Sequence, residues 1–169
     1  EVEHLVDSRS REEKIIHESS KDPVIAGFLS SKMGNARERG LSLFLAVEGV
    51  LPELVHKPMR HGLITVLGNL FDNAVDAVCD CEEKNLHLTF TAAPGQFTFQ
   101  VADTGSGMDD ATLAHIFSKG FSTKGSHRGL GLWLVRKTVD SLGGGIALTS
   151  RPGAGSTFTI TLPAGESPC

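Results

Sequence analysis

Two asparagines, Asn69 and Asn73, stand four residues apart in a segment with helical periodicity, so they lie one turn apart on one helix face. That face is opposite the apolar stripe and also carries Asp76 and Asp80. Oxygen ligands suit Mg²⁺, whose coordination is usually completed by water and substrate phosphates. A cation-binding face is therefore one interpretation of the pair, and an ordinary solvated polar face is the other.

A glycine-rich loop, residues 103–108 with the sequence Asp-Thr-Gly-Ser-Gly-Met, follows directly on a segment with strand periodicity. It places one carboxylate at a strand end, beside backbone that a ligand can approach closely because Gly105 and Gly107 lack side chains. A carboxylate can accept a hydrogen bond from an adenine amino group. The alternative is a tight turn capped by Asp103, which explains one of the glycines more readily than both.

A second glycine-rich segment, residues 125–133, leads into the start of a helix, where unpaired N–H groups and the helix dipole favour phosphate. Lys124 and Arg128 lie in a stretch whose glycines and serines predict mobility, so these cations could close over a polyphosphate. Taken singly, they are two solvated surface cations. Gly129-x-Gly131 alone is weak evidence for a phosphate site.

The elements that must position these loops follow from the spacing of apolar residues. Residues 1–19 predict a charge-rich helix, and Asp22-Pro23 predicts the N-cap and first position of a second helix that ends at Gly40. The alternation over residues 41–47 predicts a strand buried largely on both faces. Helical periodicity returns over residues 59–81, with an apolar stripe formed by Leu63, Leu67, Leu70, Ala74 and Val78.

Two hairpins complete the pattern. The first joins residues 86–92 to 97–101, and the second joins residues 146–148 to 158–162. Between them lie a short helix near residues 111–116 and a longer helix that stops at three consecutive glycines from Gly143. Hairpins in place of regular β-α-β crossovers disfavour a Rossmann fold. They indicate an α+β fold, a two-layer α/β sandwich with a mixed sheet and helices on one face.

Length and charge limit the function further. The 169 residues suffice for one domain with a core and an accessory helix. The net charge of −4 argues against binding nucleic acid through a broad basic face.

Three cysteines, with Cys79 and Cys81 close together, suit a reducing compartment better than a zinc site. No apolar stretch reaches the ~18 residues of a membrane span. Because the chain opens on Glu1 without a signal peptide, we expect a piece of a longer protein.

The order and spacing of the three chemical segments resemble the ATP-binding domain of the gyrase, Hsp90, histidine kinase and MutL superfamily. Residues 67–74, Leu-Gly-Asn-Leu-Phe-Asp-Asn-Ala, are similar to its N box. Residues 103–107, Asp-x-Gly-x-Gly, are similar to its G1 box, and residues 129–132, Gly-Leu-Gly-Leu, to its G2 box. The resemblance implies a Bergerat-type fold over roughly residues 41–163.

Further segments support the same resemblance. Ile-Phe at 116–117 with Phe121 resembles the F box, and residues 153–158, Gly-Ala-Gly-Ser-Thr-Phe, resemble a G3-like segment. Within the superfamily, residues 22–29 and 116–125 look like the corresponding segments of the citrate and C4-dicarboxylate sensor kinases.

The resemblance implies roles for individual residues. Asp103 would receive the adenine N6 amino group, Asn73 would coordinate Mg²⁺ with Asn69 nearby, and Lys124 and Arg128 would approach the triphosphate. The candidate catalytic residues are Asn69, Asn73, Lys124 and Arg128, of which the two asparagines are also the candidate metal ligands. The candidate nucleotide-binding residues are Asp103, Gly105, Gly107, Phe117, Lys124, Arg128, Gly129, Leu130, Gly131, Leu132, Ser156 and Thr157.

The implied protein is a two-component sensor histidine kinase whose catalytic domain, residues 39–165, binds Mg-ATP and is followed by a tail at 166–169. Residues 1–38 would be the second helix of the dimerisation hairpin and its continuation, or else an unrelated linker helix. The γ-phosphoryl group would pass to a histidine on a dimerisation helix outside this chain, then to an aspartate of a response regulator.

Expected partners are the nucleotide, the chain's own dimerisation domain in a homodimer, and the regulator. Neither nucleic acid nor direct membrane contact is expected, and the domain would lie on the cytoplasmic side of an inner-membrane sensor.

Three features depart from the pattern of relatives. Asp76 stands where many related kinases have Lys, which leaves cation support to Lys124 and Arg128. Asn69 stands where hydrolytic members are expected to carry a water-activating Glu. His17, followed by Glu18, makes no convincing phosphoacceptor sequence. The alternatives are an ATP-binding switch, an anti-sigma-like Ser kinase, a hydrolytic ATPase of the superfamily, or a pseudokinase that only docks partners.

Overall fold

The computed structural model of the protein describes residues 2–54, 56–121 and 129–164. The helices in these ranges are α1 Val2–Ser19, α2 Pro23–Glu38, α3 Lys57–Val78, α4 Asp110–His115 and α5 Gly131–Ser141. The strands are β1 Ser42–Glu48, β2 Asn85–Ala93, β3 Gln96–Asp103, β4 Gly145–Ser150 and β5 Ser156–Pro163. Among the residues described, no helix combines the length and the apolar character needed to cross a membrane.

The strands form one mixed sheet in the order β1-β2-β3-β5-β4. β1 runs parallel to β2, whereas the other neighbouring pairs are antiparallel. The sequence prediction of an α+β sandwich with a mixed sheet is therefore confirmed. Alternate side chains of the central strands form the buried core face, as predicted for the first hairpin: Leu86, Leu88, Phe90, Phe97, Phe99, Val101, Phe158, Ile160 and Leu162.

The helices cover this core face. α3 packs on β2 and β3, α5 packs on β4 and on α3, and α2 and α1 pack at the β1 edge. Every member of the predicted apolar stripe of α3 is buried. Gly62 permits the close contact between α3 and α5, because a Cβ there would lie 2.7 Å from Cδ1 of Leu142. α3 and α5 therefore lie side by side in one helical layer that packs on the sheet.

The prediction that the first strand is buried on both faces is wrong. In β1, Ser42, Phe44, Ala46 and Glu48 are exposed, and the residues between them are only half-buried. The reason is topological, because β1 is an edge strand and the helices cover one face of the sheet. The ring of Phe44, 49% exposed, stacks on His87 of β2 at 4.6 Å, which partly shields an apolar side chain on the open face.

The predicted N-cap, Asp22, is a buried residue whose carboxylate accepts hydrogen bonds from α2, from Leu54 and from α3. One carboxylate oxygen accepts from the backbone N–H groups of Val24 and Ile25, at 3.0 and 3.2 Å. The other accepts from Leu54 N at 3.0 Å and from Arg60 Nε at 2.8 Å. Burial by itself would raise the pKa of Asp22, but the hydrogen bonds from Arg60, Ile25 and Leu54 outweigh it, so the pKa lies below its ordinary value. This carboxylate ties the start of α2 to the start of α3.

Asp22→Asn is expected to lower the free energy of unfolding by about 2–4 kcal/mol at pH 7, because Arg60 loses its anionic partner. A depressed carboxyl pKa stabilises the fold above the unfolded pKa of about 4, and this stabilisation is lost as the pH falls through the lower folded value. The deficit should therefore shrink in acid. Urea unfolding at several pH values measures both effects.

Asp72→Asn is the matched control, because Asp72 is exposed and receives a hydrogen bond from Lys32 at 2.6 Å. Its loss should cost less than about 1 kcal/mol. If the two variants were equally stable at pH 7, the structural role of Asp22 would be contradicted.

Candidate functional site

A cavity of about 160 Å³ lies between α3, the loop after β3, the segment after α4 and the first residues of α5. It is lined by Asn73, Asp76, Ala77, Asp103, Ser106, Gly107, Met108, Ile116, Phe121, Gly129, Gly131, Leu132, Ser156 and Phe158. Seven of the residues selected from the sequence are in this set. The three segments that the sequence analysis singled out for chemistry therefore meet at one place.

α3 supplies one wall of the cavity through Asn73, Asp76 and Ala77. These positions are three and four residues apart, so their side chains share one helix face. The side-chain nitrogen of Asn73 is buried and has no hydrogen-bond partner among the described residues. Leaving such a group unsatisfied costs about 1–3 kcal/mol, so this amide is suited to a ligand. A rotation of the amide would present its oxygen at the same position.

Asn69 occupies a different environment from Asn73. Its side-chain nitrogen donates to the carbonyl of Thr65 at 2.8 Å. Its oxygen lies against the start of α5, since a Cβ added at Gly131 would be 2.8 Å from that oxygen. The structure places Asn69 between α3 and α5 rather than among the residues that line the cavity.

The loop after β3 holds the buried carboxylate of Asp103, which is 8% exposed and accepts from Gly105 N at 2.8 Å. Gly105 contacts α3, because a Cβ there would lie 2.6 Å from the carbonyl oxygen of Ala77. Gly107 has a φ of +65°, and a Cβ there would overlap the carbonyl of Arg151. The sequence analysis explained both glycines by close approach of a ligand. In the structure, the missing side chains allow close contact with the backbone of neighbouring protein segments. Of the two glycines, Gly107 lines the cavity and Gly105 does not.

The turn between β4 and β5 braces the same loop. Gly153 N donates to the carbonyl of Ser106 at 2.7 Å, and Met108 N donates to the Ser150 hydroxyl at 2.9 Å. That hydroxyl donates to the Gly155 carbonyl, so the Ser156 hydroxyl is the donor in the 3.0 Å contact between the two serines. These hydrogen bonds therefore hold the loop after β3 on the β4–β5 turn.

The second glycine-rich segment is described from Gly129 onward, and the predicted cations Lys124 and Arg128 lie outside the described residues. Gly129 packs on the segment after α4, where Gly120 N donates to its carbonyl at 3.0 Å. α5 begins at Gly131, and its N-cap residue, Leu130, makes no side-chain capping bond. The first residues of α5, Gly131 and Leu132, line the cavity, and the side chain of the N-cap residue does not cap the helix start.

Several predicted residues are not among those that line the cavity. Leu130 is 57% exposed, and Phe117 instead meets the ring of Phe158 edge-on at 6.5 Å. Thr157 lies on the open face of the sheet because strand side chains alternate, whereas its neighbour Ser156 faces the cavity.

Seven lining residues are outside the predicted set of site residues: Asp76, Ala77, Ser106, Met108, Ile116, Phe121 and Phe158. The sequence analysis placed Asp76 on the helix face of Asn73 without giving it a role, and Ala77 could have been found by the same spacing. Alternation with Ser156 could have found Phe158. In the described part of the lining, the charged side chains are Asp76 and Asp103, both acidic.

Comparison with known proteins defines the class. Residues 59–166 match the family described as "Histidine kinase-, DNA gyrase B-, and HSP90-like ATPase", and the chain belongs to this family. Among solved structures, full-length ShkA in complex with AMPPNP superimposes with a TM-score of 0.67 at 30% identity, over 81% of this chain and 29% of that one. The catalytic domain of the histidine kinase ThkA superimposes with a TM-score of 0.66 at 23% identity, over 82% and 89% of the two chains.

The curated relatives are sensor kinases of the citrate and C4-dicarboxylate group. The chain is 42% identical over 143 residues to the sensor histidine kinase DcuS of Escherichia coli K12, covering 85% of this chain and 26% of DcuS. It is 35% identical over 175 residues to the sensor protein CitS of Halalkalibacterium halodurans, covering 98% and 32%. The chain thus spans between a quarter and a third of these relatives, to which it is homologous.

The packing of the first loop yields a prediction about Gly107. Gly107→Ala combines strain at a positive φ with overlap on the Arg151 carbonyl, whereas Gly153, at a φ of +73°, faces open space. We expect Gly153→Ala to cost about 1–2 kcal/mol of unfolding free energy. Gly107→Ala should cost about 1–3 kcal/mol more. Urea unfolding of the two variants measures the difference, and equal losses would show that Gly107 is not needed for packing.

Proposed function

We propose that this chain is the ATP-binding catalytic domain of a two-component sensor histidine kinase. It would bind Mg-ATP and donate the γ-phosphoryl group to a histidine on a dimerisation helix, for relay to an aspartate of a response regulator. The observation that carries the proposal is that Asp103, Asn73 and the start of α5 line one cavity in a chain homologous to sensor kinases.

Adenine recognition is assigned to Asp103. Its carboxylate is held at the end of β3 by the bond from Gly105 N, so little reorganisation is needed when a ligand arrives. The apolar lining near it, from Met108, Ile116 and Phe158, suits a flat purine ring. The carboxylate would accept a hydrogen bond from the N6 amino group, which selects adenine over bases that present an acceptor at this position.

Phosphate and metal binding are assigned to the start of α5 and to Asn73, which line the same cavity. The N–H groups at Gly131 and Leu132 can donate to phosphate oxygens at the positive end of the α5 dipole. Asn73 fits Mg²⁺ when its amide is rotated so that the oxygen takes the position of the unsatisfied nitrogen, because one amide oxygen, water and phosphates can complete an octahedral shell. When bound, the ion would neutralise charge that develops on the transferred group. Roles for Asn69, Lys124 and Arg128 in binding the triphosphate remain predictions.

Kinase chemistry is favoured over hydrolysis. The position expected to carry a water-activating Glu holds Asn69, whose amide is bonded to Thr65 and covered by Gly131. Phosphoryl transfer depends on position and charge neutralisation, so a domain without a base can donate to a nucleophile that another domain brings. That domain would belong to the homodimer of the whole protein. α1 and α2 would be the second helix of its hairpin and the continuation of that helix; both pack on β1, and α2 also packs on α3.

Asp103→Asn is expected to weaken Mg-ATP affinity by about 10- to 100-fold. The new amide oxygen can still accept from Gly105 N, which leaves the amide nitrogen as a donor facing the adenine amino group. Isothermal titration calorimetry measures the affinity. Asp110→Asn, an exposed substitution on α4, is the control. A folded Asp103 variant with unchanged affinity would disprove the adenine assignment.

Asn73→Ala is expected to lower the rate of phosphotransfer to a supplied acceptor-helix region by about 10- to 100-fold. ATP affinity should change much less, because the adenine contacts survive. The rate is measured by single-turnover labelling at saturating nucleotide. Asn35→Ala, at an exposed position of α2, is the control. Equal transfer rates for the two variants would refute a metal-binding role for Asn73.

The chain alone should bind ATP without labelling itself and should hydrolyse it slowly. The exposed His17 lies on α1 and is not in the lining of the cavity, and the described lining contains no histidine, so the His17 imidazole is not held in line with the terminal phosphorus. Incubation with γ-labelled ATP and Mg²⁺, with and without the acceptor-helix region, tests this. Stable label on His17 would contradict the view that the acceptor lies elsewhere, and rapid phosphate release would favour an ATPase.

A further inference from the structure

Two contacts join α5 to residues 116–121, the segment that follows α4. The ammonium group of Lys119 lies 5.3 Å from the centroid of the Trp133 ring. The guanidinium carbon of Arg136 lies 5.8 Å from the centroid of the Phe117 ring. Both distances are within the roughly 6 Å range of a cation–π interaction. Because Trp133 and Arg136 are three positions apart, one side of α5 makes both contacts.

Burial holds the start of this segment more firmly than its end. Ile116 is 9% exposed, whereas Ser118, Lys119 and Gly120 are exposed. α4, which precedes the segment, buries none of its residues. A segment with little buried surface opens at a low cost in free energy, so the position of its end depends on the contacts with α5.

The contact between Lys119 and Trp133 lies beside the cavity rather than inside it. Neither residue is in the lining, but Phe121, two residues after Lys119, and Leu132, directly before Trp133, both are. The contact therefore joins two parts of the chain that each supply a lining residue. A shift of the segment relative to α5 would move one wall of the cavity.

We propose that Lys119 and Trp133 are positioning residues, whose contact holds residues 116–121 in the place that nucleotide binding requires. The inference rests on the proposed function of the cavity. A wall that is already in place needs no ordering when the nucleotide arrives. If the segment is displaced in part of the molecules, the apparent affinity falls with the fraction that remains competent. Arg136 acts in the same way through Phe117.

The size of the effect follows from the strength of the contact. Loss of one exposed cation–π contact changes an equilibrium constant by about 2- to 5-fold, so Lys119→Gln should weaken Mg-ATP binding by about that factor. Lys119→Arg keeps a cation over the ring and should bind as wild type does. Arg136→Gln should resemble Lys119→Gln. Asp140→Asn, which removes the 3.4 Å ion pair of Arg136 within α5 but keeps the ring contact, should not.

The test uses intrinsic fluorescence and calorimetry on the 169-residue chain. Trp133 is the only tryptophan in the sequence, so its emission reports on this contact without a label. Acrylamide quenching measures the exposure of the indole, and isothermal titration calorimetry measures the affinity for Mg-ATP. Lys119→Gln should increase quenching in the nucleotide-free protein and weaken binding. Lys137→Gln, at an exposed position of α5, is the matched control and should change neither.

A double-mutant cycle with Trp133→Leu shows whether the two side chains act as a pair. If they do, Lys119→Gln should weaken Mg-ATP binding in the wild-type background and have no further effect in the Trp133→Leu background. Urea unfolding of each variant checks the fold. A role in stability alone would lower the free energy of unfolding and leave the affinity of the folded protein unchanged.

The outcomes distinguish this inference from the function on which it rests. Weaker binding with more quenching in Lys119→Gln, both reversed in Lys119→Arg, would support the positioning role. If wild type binds Mg-ATP and Lys119→Gln binds it equally well, or if the losses in the cycle are additive, the positioning role is wrong and the proposed function stands. If wild type binds no nucleotide, the proposed function fails and the inference fails with it.

Discussion

The close contact of backbone with backbone around one glycine-rich loop determines the geometry of the site. A side chain at Gly105 would strike the carbonyl of Ala77 on α3, and one at Gly155 would overlap the carbonyl of Asp103 itself. Gly107 meets the β4–β5 turn in the same way. The end of β3, the middle of α3 and that turn therefore pack without intervening side chains. This packing brings Asp103 and Asn73 into the lining of one cavity, and the hydrogen bonds of Met108 N to Ser150 and of Gly153 N to Ser106 hold the loop on the β4–β5 turn.

The electrostatics of the cavity complement this packing. Its described lining offers a buried carboxylate, a second carboxylate on α3, an unsatisfied amide and the start of a helix. In the proposed function, these groups would accept a hydrogen bond from an amino group and donate to phosphate, so a nucleotide would have one orientation that satisfies both.

Most of the fold could be predicted from sequence because local chemistry and periodicity agree. The N-cap of α2 at Asp22, the apolar stripe of α3 and the alternation of the first hairpin are found in the structure as predicted. The burial of β1 could not be predicted, because alternation of apolar with small residues does not reveal whether helices cover one face or two. At the site, motif spacing located the three segments that meet. Spacing could not show that Ser156 and Asn73 line the cavity whereas their counterparts Thr157 and Asn69 do not. That difference depends on which neighbouring element each side chain contacts.

The most direct test of this account is a crystal structure of the chain with Mg²⁺ and a nonhydrolysable ATP analogue. The account predicts the adenine amino group within hydrogen-bond distance of the Asp103 carboxylate and the metal bound to the Asn73 amide oxygen. The phosphates should lie at the N–H groups of Gly131 and Leu132. An analogue bound elsewhere, or bound in this cavity with its phosphates beside Asp103, would contradict it.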